Sequence, residues 1–175
     1  MPERPLAWLG RTLSKLEVAH ALLGGHAVNC WVAPRYADTV EFTVGLNAES
    51  AGALARELER AGFSRARSHG DAAPSGPDFV RYVSTSASLT IEFQSAKTPF
   101  QREVVRRART AADGARIGTP EDLIVLKLIA DRPKDQVDLL GLAALPRLDW
   151  SYVERWAREW EVEDRLRALR ERAAR

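Results

Sequence analysis

The chain has 175 residues, 45% of them hydrophobic and 29% charged, with a formal net charge of +2. This is enough apolar content to bury a core, without low-complexity tracts, and too even a charge balance for a global field that recruits nucleic acid. The lone cysteine, Cys30, excludes an intrachain disulfide, and the apolar run 123–130 is too short to span a bilayer.

Leu6, Leu9, Leu13 and Leu16 recur at helical spacing among charged residues, which predicts an amphipathic first helix. Residues 21–23 read as a short buried strand that runs into Gly24 and Gly25, where a chain turns tightly and brings its N–H groups close to a ligand. Ala27, Val28, Trp31 and Val32 then give a short helix its apolar side, with Cys30 as a small core residue and Pro34 as its end. His26 beside the turn reads either as a phosphate or substrate contact or as a structural histidine, and Arg35 either as a ligand contact or as a solvated loop charge. From residue 39 the chain alternates: Thr39, Glu41 and Thr43 point one way, and Val40, Phe42 and Val44 the other.

Asn47 or Ser50 caps a helix with Ala51, Leu54, Ala55, Leu58 and Ala61 inward, ending at Gly62. Residues 68–78, rich in glycine, proline and small side chains, read as a mobile surface loop. A hairpin of strands 79–84 and 89–94 follows around a turn at 85–88, with Leu89, Ile91 and Phe93 toward the core and Thr90, Glu92 and Gln94 away from it. Pro99 opens a helix over 97–109 with Phe100, Val104 and Val105 inward. Its outward Arg102, Arg106 and Arg107 read either as a solvated face or as contacts to a triphosphate or an RNA acceptor. After a short strand at 115–117, Thr119 caps a helix that starts on Pro120 and carries Lys127 among leucines and isoleucines. Tyr152, Val153, Trp156 and Trp160, then Val162, Leu166 and Leu169, form two further helical stripes.

Two stretches, LLGGHAVNCWVAPRYADTVEFT over 22–43 and TPEDLIVLKLIADRPKDQVD over 119–138, resemble the DNA polymerase beta-like nucleotidyltransferase superfamily, and within it the AbiEii-like toxin branch. That branch reads close to GGxA, then R-x-T-x-D-h-D-h with h apolar, and later PEDLIxxKLxAxRxKDxxD. Gly24, Gly25, Ala27 and Arg35 match, while the two acid positions fall on Thr39 and Glu41, so the metal dyad is degenerate. The resemblance implies a third carboxylate at Glu92, Glu41 and Glu92 as catalytic ligands of Mg2+, and Lys127 reaching the nucleotide phosphates. Gly24, Gly25, Arg35 and Thr39 complete the implied nucleotide site, and Lys134, Asp135 and Asp138 hold the end of one helix and the start of the next.

The fold expected is α/β (α+β): a nucleotidyltransferase-type mixed sheet flanked by helices. It forms one domain over 1–175, with a sheet-containing core at about 20–118 and a helical C-terminal part at about 119–175. Two functions compete. One is Mg2+-dependent transfer of a nucleoside monophosphate from a nucleoside triphosphate to a hydroxyl on RNA, protein or a small molecule. The other is a non-catalytic pseudoenzyme that binds a nucleotide or a partner, such as a cognate antitoxin, in a toxin–antitoxin or defence system. No N-terminal stretch reads as a signal peptide, so a cytoplasmic protein without a membrane partner is expected.

Overall fold

The computed structural model describes residues 5–174 apart from 72, 74, 85, 87, 112 and 113. Helices and strands are interspersed along the chain, as the α/β reading expects, and none of the described helices is long and apolar enough to cross a membrane. The chain forms two compact units. The first takes residues up to His26 together with Tyr36–Gly118, and the second takes Ala27–Arg35 together with the chain from Thr119 onward.

The first unit is built on a seven-stranded mixed sheet. Its strands are β1 (His20–Leu23), β2 (Thr39–Val44), β3 (Phe63–His69), β4 (Phe79–Ser84), β5 (Thr90–Ser95), β6 (Arg109–Thr110) and β7 (Arg116–Ile117), in the order β3-β4-β5-β2-β1-β7-β6. β2 runs parallel to β5 and antiparallel to β1, and β4 runs antiparallel to both β3 and β5. Strand alternation sends Val40, Phe42, Val80, Tyr82, Ile91 and Phe93 to one side, where all are buried. Phe42 stacks on Phe93 with centroids 5.9 Å apart, and such a pair contributes about 1 kcal/mol beyond its buried area.

Three helices of this unit, α1 (Pro5–Lys15), α3 (Ala48–Arg60) and α4 (Pro99–Arg107), have predicted counterparts. Asn47 is the N-cap of α3 and Ser50 its reciprocal partner, so both predicted capping residues act together in one capping box. Thr98 and Gln101 build the same device ahead of Pro99. β3 was not anticipated. Its sequence FSRARSH has a single buried side chain, Phe63, and it is a strand because its backbone pairs with β4 at the sheet edge. The loop predicted at 68–78 therefore begins only at 70, and 72 and 74 lie outside the described residues. So do 85 and 87 in the predicted hairpin turn.

The helix after the glycines is shorter than its apolar spacing predicts: α2 covers only Gly24–Val28. Beyond it the Asn29 side chain both accepts from the Arg35 amide, at 3.0 Å, and donates to the Arg35 carbonyl, at 2.6 Å. That closure replaces a further helical turn. Cys30 is consequently exposed, which corrects its reading as a core residue.

The second unit packs α5 (Pro120–Ala130), α6 (Pro133–Ala143), α7 (Trp150–Glu159) and α8 (Glu163–Ala173), with α5 central and buried along most of its length. Thr119 caps α5 through Asp122, and Tyr152 of α7 donates its hydroxyl to the same carboxylate at 2.5 Å. The neighbouring Glu121 accepts from the Asp149 amide at 3.1 Å, at the N-cap of α7. Both acids of the Pro-Glu-Asp stretch thus join α5 to α7. At the other end Arg165 of α8 donates to the terminal carbonyls of Leu128 and Ile129.

A candidate ligand face and a buried ion cluster

β1 ends at Leu23, and Gly24 follows with φ +63°, a backbone region that L side chains rarely adopt. The position also has no room for a side chain. A Cβ there would lie 2.5 Å from Cδ of Glu41, so the Glu41 carboxylate is packed against the turn itself. Register explains the approach, because Leu23 pairs with Glu41 across β1 and β2.

The same register continues across the sheet. Glu41 pairs with Glu92 on the parallel β5, Glu92 with Arg81 on β4, and Arg81 with Arg67 on β3. Directly paired residues project from one sheet face, so Glu41, Glu92 and Arg81 form a row. Arg81 donates to Oε1 of Glu92 through both Nε, at 2.8 Å, and Nη2. Its guanidinium carbon also stands 6.0 Å from the centre of the Phe79 ring. Thr39 starts β2 two residues before Glu41, on the same side, and its hydroxyl donates to Oδ1 of Asp38 at 3.3 Å.

Magnesium asks for near-octahedral oxygen ligands, with protein carboxylates providing much of the compensating charge. The row does not fit that demand. Among the described residues no three His, Cys, Asp or Glu side chains gather where they could hold an ion, and Glu92 already carries a guanidinium. A cavity of about 210 Å³ under α3, lined in part by Leu54, Val80, Tyr82 and Phe93, lies on the apolar side of this sheet and plays no part in the row's chemistry.

Arg35 and Lys127 belong to the second unit, where they meet through Asp138. Arg35 donates to Asp138 Oδ1 from Nε at 2.6 Å and to Oδ2 from Nη2. The Lys127 ammonium, with a side chain 5% exposed, sits 2.6 Å from Asp138 Oδ2 and 2.9 Å from Asp135 Oδ1. Arg132, the N-cap residue of α6, completes the cluster with its Nε on Asp135 Oδ2 at 2.7 Å. Burial pushes the Asp135 carboxyl up, but hydrogen bonds from Arg132 and Lys127 outweigh it and hold the group down, to about 2. Asp138 is lowered in the same sense, with Arg35 and Lys127 outweighing its desolvation.

The structure therefore brings Gly24, Glu41 and Glu92 together, and separately brings Arg35 and Lys127 together. Gly25 follows Gly24 in α2. Sequence reasoning missed Arg81. The signal available was an arginine in the alternating strand FVRYVS, but its partner depends on hairpin register.

No protein-family model and no curated protein matches the sequence. Solved structures do match in fold. An antigenic nucleotidyltransferase-like protein from Paracoccidioides brasiliensis superposes with a TM-score of 0.57 at 15% identity, over 95% of this chain and 90% of that one. The lincosamide antibiotic adenylyltransferase LnuA gives 0.55 at 11% identity, over 82% and 97% of the respective chains. The antibiotic-resistance factor ANT(2'')-Ia gives 0.52 at 15% identity, over 97% and 90%. The mixed sheet with its helices is thus similar to the fold of nucleotidyltransferase structures.

Proposed function

We propose that this chain is a nucleotide-binding protein of the nucleotidyltransferase type that does not carry out transfer. The observation that carries the reading is Arg81 seated on Glu92, in the row that begins at the Gly24 turn. Where the resemblance implies three carboxylates, the row has a neutral Thr39, an acidic Glu41 and a Glu92 whose charge Arg81 offsets. Phosphoryl transfer rests largely on positioned positive charge at the transferring group, commonly metal ions held by protein carboxylates. A row whose Glu92 already accepts from a guanidinium holds such an ion poorly, and the loss falls on the electrostatic contribution that usually dominates the rate. The Gly24–Gly25 backbone remains as the surface on which a phosphate is received.

The test pairs binding with transfer. Purified protein is titrated with each nucleoside triphosphate by calorimetry, then incubated with α-labelled nucleotide, magnesium or manganese, and RNA or protein acceptors. Binding without label transfer is expected. Transfer that disappears in Glu41→Ala overturns the non-catalytic part, and no detectable binding of any nucleotide overturns the ligand. One observation favours a second reading, metal-dependent transfer to an RNA, protein or small-molecule hydroxyl: Glu41 and Glu92 stand in direct register on parallel strands. The same transfer assay decides between them.

A further inference from the structure

We propose that the cavity between α3 and the sheet is a binding site for a small, uncharged aromatic molecule whose single acceptor oxygen meets the Tyr82 hydroxyl. The site lies on the face of the sheet opposite Arg81 and Glu92, so it is independent of the nucleotide reading above. On the helix side the cavity is bounded by Ala51, Gly52 and Ala55, while the larger Leu54 and Leu58 of the same helix are buried. The backbone does not ask for glycine at 52. Its φ is not positive, and a Cβ there would meet only the end of the Arg56 side chain, at 3.6 Å. Protein interiors are close-packed, so small residues beside an unfilled space of about 210 Å³ leave contacts for an occupant to make. An apolar cavity of about 150 Å³ holds benzene, and this one has room for a ring with a substituent.

On the sheet side Val80, Tyr82 and Phe93 form the floor, with the Tyr82 and Phe93 rings edge to face at 6.2 Å. Tyr82 is 4% exposed, and among the described residues its hydroxyl has no hydrogen-bond partner. A buried phenol ordinarily has one. Burial pushes the Tyr82 pKa up, so the group stays a neutral donor, and the charges of Arg65 and Asp71 also act on it. Arg65 is the register partner of Tyr82, and both charged residues line the cavity, which places the hydroxyl end of Tyr82 beside them. Arg65 and Asp71 are half-exposed and paired with each other, so they mark where the cavity opens to solvent. Because their charges offset one another, the mouth favours neither an anion nor a cation, and an uncharged ligand follows. Helix and sheet bound the space from two sides, a shape that a flat ring fills with contact on both faces.

The experiment titrates the full chain with acetophenone, an aryl ketone, and with toluene, which has a ring but no acceptor, and follows the amide resonances by NMR. In wild type, acetophenone should shift the amides of residues 51, 52, 55, 80, 82 and 93 saturably, with a Kd on the order of 0.1–1 mM for so small a ligand. Tyr82→Phe should weaken acetophenone about 3–10-fold, as the loss of one neutral hydrogen bond does, and leave toluene unchanged. Gly52→Leu and Ala55→Leu fill the space from the helix side and should abolish the shifts for both compounds. Either filled variant carries the comparison if the other does not fold, and Tyr82→Phe carries it without them. Absence of saturable shifts with acetophenone up to about 10 mM overturns the site. Shifts that survive in a folded, filled variant do the same. A Tyr82→Phe chain that loses affinity for both compounds equally, or for neither, overturns the class of ligand. Nucleotide is absent from all of these measurements, so the two readings fail separately.

Discussion

Replacing Lys127 by methionine tests whether the lysine is a structural cation or a ligand for phosphate. Its side chain is 5% exposed and lies between Asp135, fully buried, and Asp138, 3% exposed at the side chain. Breaking a buried ion pair from one side costs about 3–5 kcal/mol, because the abandoned charge keeps its desolvation penalty. Here each aspartate retains a second cation, Arg132 for Asp135 and Arg35 for Asp138, which favours the lower end, about 3 kcal/mol. Methionine keeps the unbranched stem and its packing, so the loss isolates the charge. Urea denaturation followed by tryptophan fluorescence suits the measurement, since every tryptophan except Trp8 lies in the second unit. The midpoint should drop at unchanged slope. A loss below about 1 kcal/mol would refute the structural reasoning, all the more if nucleotide affinity fell at the same time. Adding Asp135→Leu to Lys127→Met should destabilise less than the two single effects together, because it removes a charge that the first change had stranded.

The acid limb of stability should reflect the same cluster. Asp135 has its carboxyl lowered from 3.8 to about 2, so its contribution is complete above the unfolded value and is lost as pH falls from about 4 toward 2. The loss is on the order of 2 kcal/mol, and Asp135→Asn should flatten the difference between denaturation curves at neutral and acid pH. At the turn, Gly24→Ala meets both a positive φ and the Glu41 carboxylate and should cost about 2 kcal/mol. Glu41→Ala in that background should recover the part due to collision, leaving the backbone part, which a double-mutant cycle in urea measures. A Gly24→Ala variant as stable as wild type would show that the turn relaxes away from Glu41.

Periodicity made the sheet's central strands legible and left its edges obscure. Val40, Phe42, Ile91 and Phe93 alternate with polar residues because β2 and β5 are central strands with one face on the core. β3 lacks that signal because its side chains from Ser64 to His69 are wholly or partly exposed, leaving backbone pairing as the determinant. The overlong reading of α2 has the opposite cause. Ala27, Val28, Trp31 and Val32 do keep helical spacing, but a polar side chain, Asn29, closes on the backbone of Arg35 and ends the helix early. At the candidate site the glycines and glutamates could be read from the sequence, whereas the arginine that donates to Glu92 could not. Its importance comes from a register that pairs residue 81 with residue 92, and register is a property of two strands rather than of either one.

The stretch of the sequence with the strongest resemblance is held by contacts within the second unit. In TPEDLIVLKLIADRPKDQVD, Thr119 and Asp122 cap a helix, Glu121 receives the Asp149 amide, and Lys127, Arg132, Asp135 and Asp138 form a buried cluster that includes Arg35. Each of these roles is a demand of architecture: buried helix ends need partners, and a buried lysine needs acids. A stretch under such demands can keep its pattern whatever chemistry the protein performs. The row on the sheet is under a weaker demand. β4 must be a strand for β5 to be central, but its position 81 needs only to be compatible with a half-exposed face, and an arginine meets that as well as a neutral residue would. Fold and catalytic competence can therefore part company at one side chain: similarity at 11–15% identity carries the architecture, and the proposed loss of transfer rests on the pairing of Arg81 with Glu92.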